Sequence, residues 1–224
     1  TKYLFNLFFL GNLKFIENKL TKKNKLNKYL VKEFKKRNIW VASSTHAGEE
    51  KFCSQTHIEL KKRIKNLTTI IIPRHIHRVD QIVSEIKNLN LKVDLHSSKK
   101  SRLNVTDIYI VDTFGDTQDF HKIASSVFLG GSMIKRGGQN PLEAARFGAK
   151  ILHGPNIDNF KDIYKKLKSL KISVRVTTPK KLASSIVFEK NKYMGDKIKN
   201  IGTKIFKKTI KELDSIINNE LKKT

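Results

Sequence analysis

Apolar residues fall along this chain in short clusters separated by polar stretches. Leu26, Tyr29, Leu30, Val31 and Phe34 recur at helical spacing with lysines between them, which predicts a helix. Ile39-Trp40-Val41-Ala42 is then a continuous apolar run, short enough to read as a buried strand. Residues 49–65 return to helix, and 68–72 form a β-branched strand ended by Pro73. Residues 79–89 read as a helix with Val79, Ile82, Val83 and Ile86 inward. Further strands are expected at 92–95, 107–111, 127–129, 150–152 and 174–176, and further helices at 116–124, 141–147 and 158–171. At the start, 8–15 reads as a short apolar strand running into a turn. Residues 97–104 form a polar loop, and from 180 onward the pattern is helical. Strand and helix alternating in this way predict an α/β fold, a parallel sheet with helices on both faces and right-handed crossovers.

Composition narrows the class. The chain has 224 residues, 38% of them hydrophobic, enough to build a core. A single Cys excludes a disulfide scaffold and a Cys-based zinc site. No apolar run approaches the roughly 18–20 residues needed to span a bilayer. There is no Met at position 1, so the chain is expected to be the remainder of a longer protein.

Charge changes the picture. Lys and Arg number 46 against 20 acidic residues, a net +26. Such a surplus favours anionic partners, although the abundance of Lys, Asn and Ile also fits compositional drift. Its distribution matters more. Residues 14–37 carry ten basic and two acidic residues, and 161–224 carry eighteen and six. Residues 107–143 carry three and five, so the Gly-rich middle escapes the excess. A nucleic-acid channel would show the opposite, with Lys and Arg lining the site. No nucleic-acid partner is therefore expected, which leaves an anionic membrane surface, phosphorylated ligands or drift to account for the basic segments.

Parallel α/β sheets bind ligands at the carboxyl ends of their strands, so the loops that follow strands are the place to look for chemistry. The first, Ser43-Ser44-Thr45-His46-Ala47-Gly48-Glu49-Glu50, puts hydroxyls, a His and two acids at a helix start. Capping and the helix dipole account for much of this, but a hydroxyl-rich helix N-terminus also suits a phosphate or carboxylate. The second is Pro73-Arg74-His75-Ile76-His77-Arg78. Arg74 offers a planar fork of donors for phosphate or a pyrimidine edge. His75 and His77, without an acidic or Cys partner nearby, make a weak metal signal, and no metal is expected. The third, Asp112-Thr113-Phe114-Gly115-Asp116-Thr117, is a tight turn with Asp116 near the next helix start. The fourth is the sharpest: Gly130-Gly131-Ser132, then Gly137-Gly138-Gln139-Asn140-Pro141-Leu142-Glu143. Asn140 fits an N-cap, Pro141 the first helical position, and Glu143 the reciprocal acid of a capping box. The glycine pairs let backbone approach a ligand, and the helix start offers N–H groups to a phosphate. Glu143 is placed to accept from ribose hydroxyls. No Gly-x-Gly-x-x-Gly follows the first strand, so this is not a dinucleotide fingerprint. A fifth candidate wall is His153-Gly154-Pro155-Asn156-Ile157-Asp158-Asn159-Phe160.

Taken in order, Gly11-Asn12-Leu13-Lys14-Phe15, residues 42–50, Ile72-Pro73-Arg74-His75, Asp112-Thr113-Phe114-Gly115, residues 130–143 and Gly154-Pro155 with Asn159-Phe160 resemble the C-terminal half of the bacterial Kdo transferases, the 3-deoxy-D-manno-octulosonic acid transferases of lipopolysaccharide synthesis. The resemblance runs from about Phe8 to the C-terminal helix. It implies the Rossmann-like C-terminal domain of a GT-B glycosyltransferase, spanning 1–190, followed at 191–224 by a basic helix that packs toward a missing N-terminal domain. It implies inverting transfer of Kdo from CMP-Kdo to a lipid A precursor at the cytoplasmic face of the inner membrane, with no cofactor and no nucleotide-bound metal. CMP contacts would fall to Pro73, Arg74, Gly115, Asp116, Thr117, Asn140, Pro141, Leu142 and Glu143. Donor sugar or phosphate contacts would fall to Ser44, Thr45, His46, Gly131 and Ser132. The family's catalytic base belongs to the N-terminal domain, so none is expected here. Ala47, Phe114, Ser126 and Gln139 depart from the family's usual Glu, Met, Asp and His. The alternatives are another GT-B transferase or epimerase, or a basic polyanion- or membrane-binding protein. The former usually carry a second acid on the last motif helix, where this chain has Ala144-Ala145-Arg146-Phe147.

Overall fold

A computed structural model describes residues 11–16, 26–98 and 103–221. Seven strands form one sheet in the order β3-β4-β2-β1-β5-β6-β7, and every pairing is parallel. They are β1 (Asn38–Thr45), β2 (Leu67–Pro73), β3 (Val93–Leu95), β4 (Ile108–Ile110), β5 (Ser126–Leu129), β6 (Lys150–His153) and β7 (Ser173–Arg175). The helices are α1 (Lys28–Lys35), α2 (Glu49–Lys61), α3 (Val79–Lys87), α4 (Thr117–Ile123), α5 (Leu142–Arg146), α6 (Lys161–Ser169), α7 (Pro179–Ser185) and α8 (Lys192–Leu221).

The central strands are mainly apolar along their middles because both faces are covered. Side chains alternate across a strand. Ile39, Val41, Ile70, Ile72, Val127 and Leu129 therefore join Phe34, Phe120, Leu142 and Ile163 in one core. Trp40, Ala42, Ile71 and Phe128 join Leu60, Ile82, Ile86 and Leu182 in the other. The helices α1, α4, α5 and α6 thus cover one face, and α2, α3 and α7 the opposite one.

Two expectations change. Leu13–Phe15 form a turn of 3₁₀-helix rather than the end of a strand, and the expected strand's earlier residues lie outside the described ones. β1 also runs past Ala42 into the polar loop, as far as Thr45. Ser44 there takes φ 55°, and the pairing with β2 shifts register between Ser43 and Thr45. This bulge ends the strand while keeping Ser43 on the α4 and α5 side of the sheet.

The chain leaves β1 toward β2 on one side, then returns across it to β5 on the other. The topological switch point lies between β1 and β5, where such folds open a crevice. The loops after these strands meet there. Gly130 donates to the Ser43 carbonyl at 2.8 Å, and a Cβ at Gly130 would lie 2.2 Å from the Ser44 carbonyl oxygen. α8 packs its first half on the described core through Ile198, which is buried, and Gly202, whose missing side chain lets the Phe15 carbonyl approach.

Candidate nucleotide site

The rim at the carboxyl ends of β1, β2, β4 and β5 carries the candidate residues, in three connected groups. The first surrounds His46. Arg74 donates its backbone N–H to the Thr45 carbonyl at 2.9 Å, tying the loop after β2 to the loop after β1. The His46 and His75 rings meet edge to face, centroids 5.5 Å apart. His46 lies against Gly131 and Arg136. Burial first, then the neighbouring His75 ring and the Arg136 guanidinium, hold its pKa below the usual imidazole value. Its Nε2 is buried and has no hydrogen-bond partner among the described residues. Arg74 and His75 are exposed, while Pro73 is buried as the last residue of β2. His75 and His77 lie side by side, and among the described residues no group of three or more His, Cys, Asp or Glu is placed to hold a metal.

The second group surrounds Glu49. The sequence assigns this acid to the helix dipole, and the structure gives it a larger task. Its carboxylate is buried and accepts from the backbone N–H groups of His46 (2.9 Å), Gly131 (2.8 Å), Ser132 (3.1 Å) and Met133 (2.9 Å). The amides of the first Gly-Gly loop are thereby occupied by the protein's own anion. The expectation that Gly131 and Ser132 supply donors to a bound phosphate is corrected accordingly. The Ser132 hydroxyl is fully buried, donates to the Leu129 carbonyl and accepts from the Gly154 N–H. The second glycine pair serves packing too: a Cβ at Gly137 would lie 2.5 Å from Asn159 Nδ2. Glu50, also buried, pairs with Arg78 at 3.1 Å, and burial pushes its pKa up.

The third group surrounds Glu143. Asn140 Oδ1 accepts from the Leu142 N–H at 3.0 Å and so caps that group, but the helix starts one residue later than expected and Pro141 holds the N-cap position. Pro141 sits just before the helix, and Leu142 is buried as its first residue. Glu143 does not close the expected capping box. Its Oε1 accepts instead from His121 Nδ1 at 3.0 Å, and His121 Nε2 meets Ser43 Oγ at 3.0 Å. The hydrogen bond from His121 holds Glu143 below the usual carboxylate range, against the opposing effect of burial. His121 is buried, whereas the Glu143 side chain is 44% exposed. One turn before His121 on α4 stands Thr117, which links this group to the turn after β4. There Gly115 takes φ 90°, Thr113 donates to the Asp116 carboxylate, and Phe114 stands 82% exposed. Asp116 occupies the N-cap position of α4 without a side-chain cap bond.

Sequence reasoning missed Glu49 and His121. Two adjacent acids at a helix start, where the dipole needs only one, were the available signal for Glu49. Nothing local marks His121, which lies 22 residues from Glu143 and 78 from Ser43.

The seven-stranded parallel sheet with helices on both faces has the fold of one domain of a GT-B glycosyltransferase. In fold the chain matches the C-terminal CMP-Kdo binding domain of WaaA from Acinetobacter baumannii, with a TM-score of 0.64 at 21% identity over 81% of this chain and 96% of that one. It also matches trehalose-6-phosphate synthase, OtsA, with a TM-score of 0.51 at 12% identity over 88% of this chain and 46% of that one. In sequence the chain is a relative of the 3-deoxy-D-manno-octulosonic acid transferases. It is 32% identical to the transferase of Rickettsia felis over 179 residues, which are 80% of this chain and 38% of that protein. The chain therefore spans well under half the length of such relatives. No family model matches it.

Proposed function

We propose that this chain binds the nucleotide end of CMP-Kdo and forms the donor half of an inverting Kdo transferase acting on a lipid A precursor. The observation that carries this reading is the Glu143 carboxylate. It is held ionised at the start of α5, half-exposed beside the switch-point crevice, in a chain related to the Kdo transferases. Glu143 accepts from the ribose hydroxyls. The exposed Arg74 takes the phosphate or the pyrimidine edge, and the exposed Phe114 ring supplies a stacking surface beside Gly115, Asp116 and Thr117. Ser44 and His46 face the sugar end, where the unpartnered His46 Nε2 awaits a polar group, whereas Thr45 is fully buried beside Glu50 and is withdrawn from the expected contacts. The general base belongs to the part of the longer relatives that this chain does not span, so the chain alone binds without turning over. A calorimetric titration with CMP and UMP tests this: CMP binds and UMP binds clearly less well. Equal affinities would remove the cytidine assignment.

Two further parts of the reading concern surfaces. Phe206, Ile210, Leu213, Ile217 and Leu221 are exposed along the distal half of α8. That stripe packs toward a domain corresponding to the N-terminal part of the longer relatives. The basic surplus docks on an anionic membrane, at the cytoplasmic face of the inner membrane. Lys35, Lys61, Lys87 and Lys168 stand in the last turns of their helices, which in a parallel α/β fold lie at the amino ends of the strands. Among the described residues no helix is long and apolar enough to cross a membrane. Binding to anionic vesicles, lost in salt and absent for neutral vesicles, is the expected outcome. Binding that ignores lipid charge would refute the docking.

A further inference from the structure

We propose that His121 is the positioning residue that presents Glu143 to the ribose, working through a buried Ser43–His121–Glu143 chain. This rests on the reading of Glu143 as the ribose acceptor.

The chain has a defined polarity. A carboxylate only accepts, so the ring proton of His121 sits on Nδ1 and points at Glu143. In the neutral ring Nε2 is then an acceptor and the Ser43 hydroxyl supplies its proton; in the charged ring Nε2 donates to the same oxygen. Ser43 is itself fixed. It lies 1% exposed at the end of β1, and its carbonyl accepts from Gly130 at the switch point. His121 is equally enclosed, at 4%. Two buried groups anchored to different elements therefore hold the carboxylate by Oε1. No hydrogen bond among the described residues engages Oε2, which remains for a ligand.

The arrangement also decides between competitors. Arg146, one turn along α5, and Lys122, beside His121 on α4, both act on Glu143 electrostatically. Arg146 is drawn off instead to the backbone carbonyls of Phe15, at 3.0 Å, and of Lys14 and Ile16. Lys122 pairs with Asp119 at 2.8 Å. A Glu without such a partner would sample several rotamers and lose that freedom on binding. A Glu already held by His121 does not. Rigidity at this position matters for a vicinal diol, whose two hydroxyls must meet a fixed carboxylate.

The test is calorimetry of CMP and of 2′,3′-dideoxy-CMP against the 224-residue chain and its variants. Asn places an amide donor close to the position of His Nδ1, whereas Gln places it closer to Nε2. His121→Asn is expected to bind CMP within about threefold of the parent, and His121→Gln about tenfold more weakly, a difference of about 1.4 kcal/mol for the tenfold step. The loss should disappear for dideoxy-CMP and in a Glu143→Ala background. Equal behaviour of the Asn and Gln variants overturns the positioning role. So does a loss that persists with dideoxy-CMP, which would mark general damage to the fold. Glu143→Ala binding CMP as the parent does would instead overturn the ribose reading itself.

Discussion

Glu49 and Glu143 stand in comparable places and have opposite fates. Each is an acid in the first turn of a helix that follows a strand and a glycine-containing loop. Glu49 is turned inward and saturated, with four backbone donors on its two oxygens. Glu143 is held by one side chain and left half in solvent. The first carboxylate builds the site and the second is available to serve it. The difference comes from what faces each helix start. α2 begins against the Gly130 loop, whose successive amides need an acceptor once they are removed from water. α5 begins beside α4, which offers a single imidazole.

The largest effect should come from Glu49. Glu49→Gln keeps the shape but turns an amide donor toward a nest of donors, leaving buried N–H groups unpaired. A loss of about 3 kcal/mol or more in urea unfolding is expected. A small loss would mean the loop finds other acceptors, and the contrast with Glu143 would fail. Glu143→Ala should do the reverse, weakening CMP by about 1–3 kcal/mol in a titration while lowering the unfolding midpoint clearly less than Glu49→Gln does, since one buried donor rather than four loses its acceptor. If it destabilises the fold as Glu49→Gln does, both acids are structural. Phe114→Ala should cost CMP about 1 kcal/mol, in line with stacking of one base on an aromatic ring, with no change in stability. No change in CMP affinity would leave the exposed ring without a part in recognition.

The smallest effect separates the two acids by pH. Glu143 has a lowered pKa, so the ionised form that accepts ribose hydroxyls persists below the ordinary carboxylate range. CMP affinity should therefore hold as pH falls through the usual Glu value and drop only below it. The sign for folding is the same: the contribution is full above the ordinary value and disappears as pH falls through the lowered one. In His121→Gln the drop in CMP affinity should move to higher pH. Parallel profiles for parent and variant would show that His121 does not govern the ionisation.

The amino-acid order alone determined the strand and helix alternation, the two-faced burial and the location of the candidate loops. These rest on local periodicity and on the parity of side chains along a strand. Ile39 and Val41 go one way and Trp40 and Ala42 the other, whatever the details of packing. The Asn140 cap was legible for the same reason, since a cap is a contact between near neighbours. What each acid does was not legible. Glu49 reads as a dipole partner and Glu143 as half of a capping box, because those are the bonds available within a few residues. Apart from the His46 N–H, the partners of Glu49 lie 82 to 84 positions away at Gly131–Met133, and that of Glu143 lies 22 positions away at His121. Only the return of the chain across β1 brings β5 and α4 to those helix starts, and burial there makes each unpaired donor costly enough to fix the choice.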